Sequence, residues 1–146
     1  LKPLIIENMK MANLVRASDE DFKNIFEAED AEKAYKAIKD YCPNLVYTAN
    51  NEGVFVHTPG FSGKFPVKKI NPVSTIGAGD NFNAGMITAI YNSGIARDEL
   101  AMMEEEEWEK VVSAGVDFAT DVCLSYENYI SREFARRYFS ASSDQI

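Results

Sequence analysis

A glycine-rich stretch followed at once by an acid is the part of this sequence best suited to chemistry. Residues 74–82 read STIGAGDNF, and apolar residues at helical spacing come after them. Glycine lets the backbone turn sharply and approach a ligand. A helix that begins there directs its free N–H groups, and the positive end of its dipole, toward that ligand. The stretch therefore predicts an anion site, most naturally for a phosphate, formed by the amides of Ile76, Gly77, Ala78 and Gly79.

Asp80 lies at the mouth of the predicted anion site. A carboxylate beside an anion is unfavourable if the site only binds a ligand. It is useful, however, if the carboxylate acts as a base that accepts the proton of an attacking hydroxyl. Other phosphate motifs are excluded by spacing, because no Gly-Lys-Ser/Thr run is present and Phe82 occupies the sixth position of a GxGxxG pattern. The alternative is a structural glycine turn in which Asp80 is only a helix N-cap.

Charge and composition restrict the partners. The chain has 146 residues, of which 15 are basic and 23 acidic, for a net charge of −8. This balance argues against nucleic acid and anionic membranes, which require a basic patch. No apolar run approaches the roughly 18 residues that span a membrane. Cys42 and Cys123 are distant in sequence and are expected to be reduced thiols, so we expect a cytoplasmic protein.

Strand and helix patterns alternate along the chain, which is typical of a layered α/β domain. The residues at 44–57 predict a hairpin, and the small residues Ala84 and Gly85 predict close packing of their helix on the sheet. Strands are predicted over 12–16, 44–49, 54–57 and, as an edge strand, 64–70. Helices are predicted over 3–10, from 18 onward, over 29–41, 79–91, 104–123 and 131–139, with a short turn near 98–103.

Three segments together resemble the ribokinase-like carbohydrate kinases. Residues 74–82 resemble the family signature DTxGAGDxF, and residues 47–54, YTANNEGV, resemble its T-x-G-x-x-G nucleotide turn. Residues 12–22 resemble the strand–loop–helix segment that carries an NxxE motif. The order and separation of the segments are also similar, and the runs at 15–22 and 125–131 look closest to bacterial fructokinase-like enzymes. The resemblance covers essentially the whole chain and corresponds to the C-terminal, nucleotide-binding half of the family.

This resemblance implies a partial ribokinase-like fold, with a mainly parallel sheet, flanking helices and a β-hairpin. Residues 1–146 would form a single ATP-binding half and would be a fragment, because the sugar-binding half and its lid have no counterpart here. A sheet surface left uncovered would favour formation of a homo-oligomer.

The implied activity is ATP-dependent phosphorylation of a sugar hydroxyl, with Asp80 as the catalytic base and the glycine turn as the anion hole. ATP and Mg²⁺ are the implied cofactors, with Asp21 beside the metal, and the sugar would bind through the missing half. The residues expected along the nucleotide are Arg16, Ser18, Thr48, Asn50 and Gly53.

The sequence departs from the family pattern at several positions. Ser74 replaces the first Asp of the signature, so a monovalent-cation site is doubtful. Ser18 and Asp21 replace the Asn and Glu of NxxE; they offer oxygens to a hydrated magnesium ion, but they equally fit a helix capping box. Asn50 replaces a glycine. These changes and the missing half leave a second hypothesis, a non-catalytic module that binds a nucleotide or a partner.

Overall fold

The computed structural model describes residues 1–143, with side chains through Ser140, as two compact units. Unit 1 comprises Leu1–Val67 and Tyr91–Lys110, and unit 2 comprises Lys68–Ile90 and the residues from Val111 onward. The helices are α1 Lys2–Met11, α2 Asp19–Phe26, α3 Ala31–Ile38, α4 Ala78–Asn92, α5 Glu105–Cys123 and α6 Arg132–Ser143; short 3₁₀ turns cover Asn50–Glu52 and Arg97–Met102. The strands are β1 Val15–Ser18, β2 Leu45–Thr48, β3 Val54–His57 and β4 Ser62–Phe65.

The four strands form one mixed sheet in unit 1, in the order β1-β2-β3-β4. β1 and β2 are parallel because helices α2 and α3 carry the chain back between them, whereas β2–β3 and β3–β4 are antiparallel. The expected hairpin is therefore present. The expected predominance of parallel pairs is wrong for the described residues, because the short connections after β2 and β3 allow only antiparallel neighbours.

Two strands differ in position from the sequence prediction. β1 begins at Val15 rather than Ala12, since the backbone N–H of Ala12 still closes the end of α1 on Met9 at 3.1 Å. β4 ends at Phe65 rather than Ile70. Pro66 follows directly, and proline has no N–H to donate to a strand ladder.

Local polar contacts determine where α2 and α3 begin. Ser18 and Asp21 form a reciprocal capping box at the start of α2, and Asp30 Oδ1 accepts the Lys33 amide at 2.8 Å to cap α3. Helix α3 ends at Ile38, earlier than predicted. The carbonyl of Ile38 accepts the amides of both Tyr41 and Cys42, and this closes the last turn.

The core of unit 1 lies between the sheet and the helices of its first 40 residues. Phe22 and Tyr47 are its central pair, with ring centroids 5.7 Å apart and side chains almost fully buried. The cluster contains Met9, Phe22, Ala28, Ala31, Ala34, Ile38, Leu45, Tyr47 and Ala49. Trp108 of α5 is also fully buried.

Unit 2 is held together by close helix contacts. A Cβ atom at Gly85 would lie 2.4 Å from the Ala114 carbonyl oxygen, so the small residue of α4 allows close packing on α5, whereas the sequence predicted packing on the sheet. Phe118 of α5 makes edge contacts with Phe134 and Tyr138 of α6, at centroid distances of 5.2 and 5.1 Å. These contacts hold α5 and α6 against each other.

Candidate active site

The glycine turn leads directly into helix α4. Gly77 has φ +81°, a left-handed conformation that favours glycine, and α4 begins at Ala78. The Gly77 carbonyl accepts the Asn81 amide at 3.0 Å, which is the first bond of the helix. Gly77 therefore occupies the N-cap position and Asp80 lies in the first turn. The alternative of Asp80 as an N-cap is wrong.

Hydrogen bonds within the glycine turn determine which of its backbone amides are still free to bind an anion. The Ile76 amide donates to Ser74 Oγ at 3.2 Å, and the Ala78 amide donates to the Thr75 carbonyl at 3.2 Å. Within the part of the chain that the structure describes, the amides of Gly77, Gly79 and Asp80 have no such acceptor. The open donors are therefore displaced from the predicted set toward the helix, and an anion would compete with Ser74 for Ile76.

A loop near the C-terminus supports this turn. Asn81 Nδ2 donates to the carbonyl oxygens of both Gly77 and Asn128, each at 2.9 Å. A Cβ at Gly77 would lie 3.0 Å from Asn128 Cβ, so the loop packs tightly on the turn. The sequence reasoning missed Asn81. The available signal was an amide side chain directly after the acid, one helical turn from Gly77.

The predicted site residues are divided between the two units. Ile76, Gly77, Ala78, Gly79 and Asp80 lie together in unit 2, where the Asp80 side chain is exposed to solvent. The residues predicted to contact the nucleotide and magnesium all lie in unit 1: Arg16, Ser18, Asp21, Thr48, Asn50 and Gly53.

The carboxyl ends of the parallel strands bring three residues of unit 1 together. Ser18 is the register partner of Thr48 across β1 and β2. Arg16 Nη1 donates to Thr48 Oγ1 at 3.4 Å, and this hydroxyl donates to the Ala17 carbonyl at 3.4 Å. Ligands of open α/β sheets bind at this end of the strands. The placement therefore agrees with a polar ligand site.

Asn50 and Gly53 shape the turn between β2 and β3. Asn50 has φ +46°, which asparagine tolerates better than most residues, so it can replace the family glycine. Gly53 has φ +120°, and a Cβ there would lie 2.7 Å from the Phe65 carbonyl oxygen. The turn itself thus requires a glycine at position 53, whether or not a nucleotide approaches it.

Ser18 and Asp21 are engaged with each other. Asp21 Oδ2 accepts the Ser18 amide at 3.1 Å and the Ser18 hydroxyl at 2.8 Å, while Ser18 Oγ accepts the Asp21 amide at 3.1 Å. This confirms the capping-box interpretation. Among the described residues, no group of three or more His, Cys, Asp or Glu side chains is placed to hold a metal ion. The role of Asp21 beside magnesium stays a prediction.

These features define a class: a layered α/β domain with a glycine-rich helix start, an adjacent acid and a polar cluster at the carboxyl ends of parallel strands. Residues 2–133 match the model of the pfkB family carbohydrate kinases, and the chain belongs to this family. The resemblance found from residues 12–22, 47–54 and 74–82 is thereby confirmed.

Curated relatives include two fructokinases. The chain is 30% identical over 104 residues to a fructokinase of Escherichia coli, which aligns 70% of this chain with 34% of that protein. It is 28% identical over 106 residues to a probable chloroplastic fructokinase-6 of Arabidopsis thaliana, aligning 70% of this chain with 26% of that protein. The chain thus spans about a third, or less, of the length of these relatives.

Solved structures show the ribokinase-like fold. A fructokinase from Vibrio cholerae O395, bound to fructose, ADP and calcium, superposes with a TM-score of 0.76 at 19% identity, covering 92% of this chain and 44% of that one. An aminoimidazole riboside kinase from Salmonella enterica, complexed with aminoimidazole riboside and an ATP analogue, gives a TM-score of 0.73 at 15% identity, with coverages of 92% and 45%. None of the described helices has the length and apolar character needed to cross a membrane.

Proposed function

We propose that this chain provides the nucleotide site, the anion hole and the catalytic base of an ATP-dependent kinase that phosphorylates a sugar hydroxyl. The observation that carries the proposal is the placement of Asp80 in the first turn of α4, directly after the open amides of Gly77 and Gly79. A base and an anion hole must lie this close together if one takes the hydroxyl proton while the other binds the transferred group.

The proposed chemistry assigns each part of the turn a task. The open amides of Gly77, Gly79 and Asp80, together with the dipole of α4, would stabilise negative charge on the phosphoryl group as it is transferred. The Asp80 carboxylate would accept the proton of the attacking sugar hydroxyl. Phosphoryl transfer depends mainly on positioning and charge stabilisation, so a rigid turn is the main requirement.

The polar cluster of unit 1 would bind the nucleotide. Thr48 and Ser18 present hydroxyls at the carboxyl ends of β2 and β1, and the Arg16 guanidinium would approach the phosphates. Asp21 Oδ2 is engaged in the capping box, and its second oxygen would suit contact with a magnesium-bound water. Magnesium would supply neutralisation of phosphate charge.

Similarity to fructokinases supports fructose as the first substrate to assay. Because the chain aligns with 34% of the E. coli relative, the activity of the whole protein, including its sugar recognition, is part of the proposal.

The decisive experiment compares the full-length protein with its Asp80→Asn variant. Fructose-dependent ADP production is expected to fall by about a thousandfold or more, within the 10²–10⁴-fold that a positioned base contributes. The dissociation constant for ATP should change less than threefold. Asp40→Asn, at another exposed carboxylate, is the matched control and should keep full turnover. Unchanged turnover in Asp80→Asn would refute the role of base.

The second candidate function is a non-catalytic module that binds a nucleotide or a partner. It is favoured by the closed Ser18–Asp21 capping box, which already uses the carboxylate assigned to magnesium. Calorimetry with ADP and Mg²⁺, with and without fructose, separates the two candidates. Nucleotide binding without turnover in the full-length protein would support the module, and turnover would exclude it.

A further inference from the structure

A cleft of about 350 Å³ in unit 1 lies between the start of α3 and strand β3, apart from the strand ends that carry Ser18 and Thr48. No lysine or arginine is among its described lining residues. Its carboxylates come from Glu29, Asp30, Glu32 and Glu52. An acidic surface alone is commonly only solvated, so the evidence for a ligand must come from other groups in the cleft.

Tyr47 supplies that evidence. Its side chain is only 3% exposed and lines the cleft. Among the described residues, its hydroxyl makes no hydrogen bond. Burial, together with the negative charges of Asp19, Asp30 and Glu52, raises the pKa of Tyr47, so the phenol stays protonated. The hydroxyl is the polar end of this otherwise buried side chain, and because the side chain lines the cleft, the hydroxyl can accept a hydrogen bond from a cationic group bound there.

The wall of the cleft has the aromatic character that ammonium groups favour. Phe55 meets Tyr47 edge-on with centroids 5.9 Å apart, and Lys64 Nζ lies 5.3 Å from the Phe55 ring centroid. This ring therefore already attracts an ammonium group from the chain itself. Burial lowers the pKa of His57, so the imidazole stays neutral near pH 7 and adds no opposing charge.

The nearby lysines neutralise the cleft only weakly. Lys33 lies 3.8 Å from Glu29 and 4.0 Å from Asp30, and Lys36 lies 3.3 Å from Glu32, all with exposed side chains. Such surface pairs contribute about 0–1 kcal/mol and exchange readily. Glu52 has no ion pair with a described residue. The carboxylates therefore remain available to pair with a charged ligand.

We propose that this cleft binds a small organic polycation, a linear alkylamine with two or more ammonium groups. The Tyr47 hydroxyl oxygen accepts a hydrogen bond from one ammonium group, while Asp30 and Glu52 pair with the charges along the chain. A metal ion fits less well, because no three acidic, His or Cys side chains of the described residues converge as ligands. The volume is that of a small-ligand site. This inference does not depend on the kinase activity.

The test titrates spermidine into the ¹⁵N-labelled protein and follows backbone amide shifts at constant ionic strength. Saturable shifts are expected at Tyr47, Phe55 and His57, and MgCl₂ at the same ionic strength should not reproduce them. Tyr47→Phe removes only the hydroxyl and should weaken binding about tenfold, as expected for one charge-assisted hydrogen bond. Glu52→Gln should weaken binding by a similar factor. Glu7→Gln removes an equal charge on exposed α1 and should leave the affinity unchanged.

Three outcomes overturn the proposal: shifts that do not saturate, equal shifts with magnesium, or equal weakening in Glu7→Gln and Glu52→Gln. Circular dichroism first establishes that Tyr47→Phe is folded. If it is not, Glu52→Gln decides the question alone, because Glu52 is exposed and its replacement leaves the core intact.

Discussion

Asn81 connects the glycine turn to Asn128, which lies 47 residues further along the chain. Its Nδ2 atom donates at 2.9 Å to the Asn128 carbonyl and at 2.9 Å to the Gly77 carbonyl. Both hydrogens of one amide group are thus used to hold two carbonyl oxygens of different segments. The turn that would bind a phosphate is fixed by this contact as well as by its own glycines.

Replacing Asn81 should loosen the turn. Asn81→Ala removes both hydrogen bonds and should destabilise the protein by about 0.5–1.5 kcal/mol, the net contribution of typical hydrogen bonds, because water can replace the donor at the exposed Asn128 carbonyl. Asn81→Asp should cost more, because a carboxylate of the same shape would face two carbonyl oxygens and repel them. Urea unfolding monitored by circular dichroism measures both changes.

Asn24→Ala is the matched control for this pair, since Asn24 is exposed on α2. It should change stability by less than about 0.5 kcal/mol. If Asn81→Asp proved as stable as the unmodified protein, the contact with Asn128 would not hold the turn.

The sequence was most informative where a structure depends on neighbouring residues. A sharp turn at the glycines, the helix start after it and the Ser18–Asp21 capping box were all predicted, because each is set within about four residues. The ends of the strands were predicted less well. β4 ends at Phe65 because Pro66 interrupts it, although the apolar pattern continues to Ile70.

Long-range partners could not be predicted from a single sequence. No local pattern pairs Asn81 with Asn128, or indicates that Gly85 faces Ala114. The sequence also could not show which amides of the glycine turn stay open, because this depended on whether Ser74 Oγ would turn back to the Ile76 amide. Side-chain rotamers of this kind are set by the folded surroundings.

Gly53 and Gly94 both have positive φ but should differ strongly in the cost of an added methyl group. Gly53 has φ +120° and ψ −166°, a region almost restricted to glycine, and an added Cβ would lie 2.7 Å from the Phe65 carbonyl oxygen. Gly94 has φ +67° with nothing within 4 Å of its Cβ position. Gly94→Ala should therefore cost only about 1–2 kcal/mol, and Gly53→Ala clearly more.

Thermal unfolding of the two alanine variants measures this difference. Equal losses at the two sites would show that neither the backbone conformation of Gly53 nor the contact with Phe65 adds a cost.

Gly85 should tolerate a methyl group less well than Gly115, although both lie where α4 and α5 meet. At Gly85 the new Cβ would be 2.4 Å from the Ala114 carbonyl oxygen, a backbone atom that moves only with its helix. At Gly115 the nearest atoms belong to the Phe82 ring, at 3.0 Å, and a ring can rotate. Overpacking costs about 1–3 kcal/mol, and Gly85→Ala should lie at or above the upper end of that range. Urea midpoints of the two variants provide the comparison, and a smaller loss for Gly85→Ala would contradict the close helix contact.

His57 should make stability depend on pH below about 6.5, the ordinary pKa of histidine. Its ring stacks on Tyr35 with centroids 5.3 Å apart, and its Nδ1 lies 3.1 Å from Ser62 Oγ. Burial lowers the folded-state pKa, an effect that Glu32 partly offsets. Above pH 6.5 the imidazole is neutral in both states and the stabilisation is complete. As the pH falls from about 6.5 toward the lowered folded-state value, the unfolded chain takes up the proton first, so stability is lost.

His57→Gln removes this titration, and its stability should therefore fall less between pH 7.5 and 5.5 than that of the unmodified protein. Urea unfolding at the two pH values measures the difference, and an equal or smaller fall in the unmodified protein would show that His57 is not held neutral by the fold.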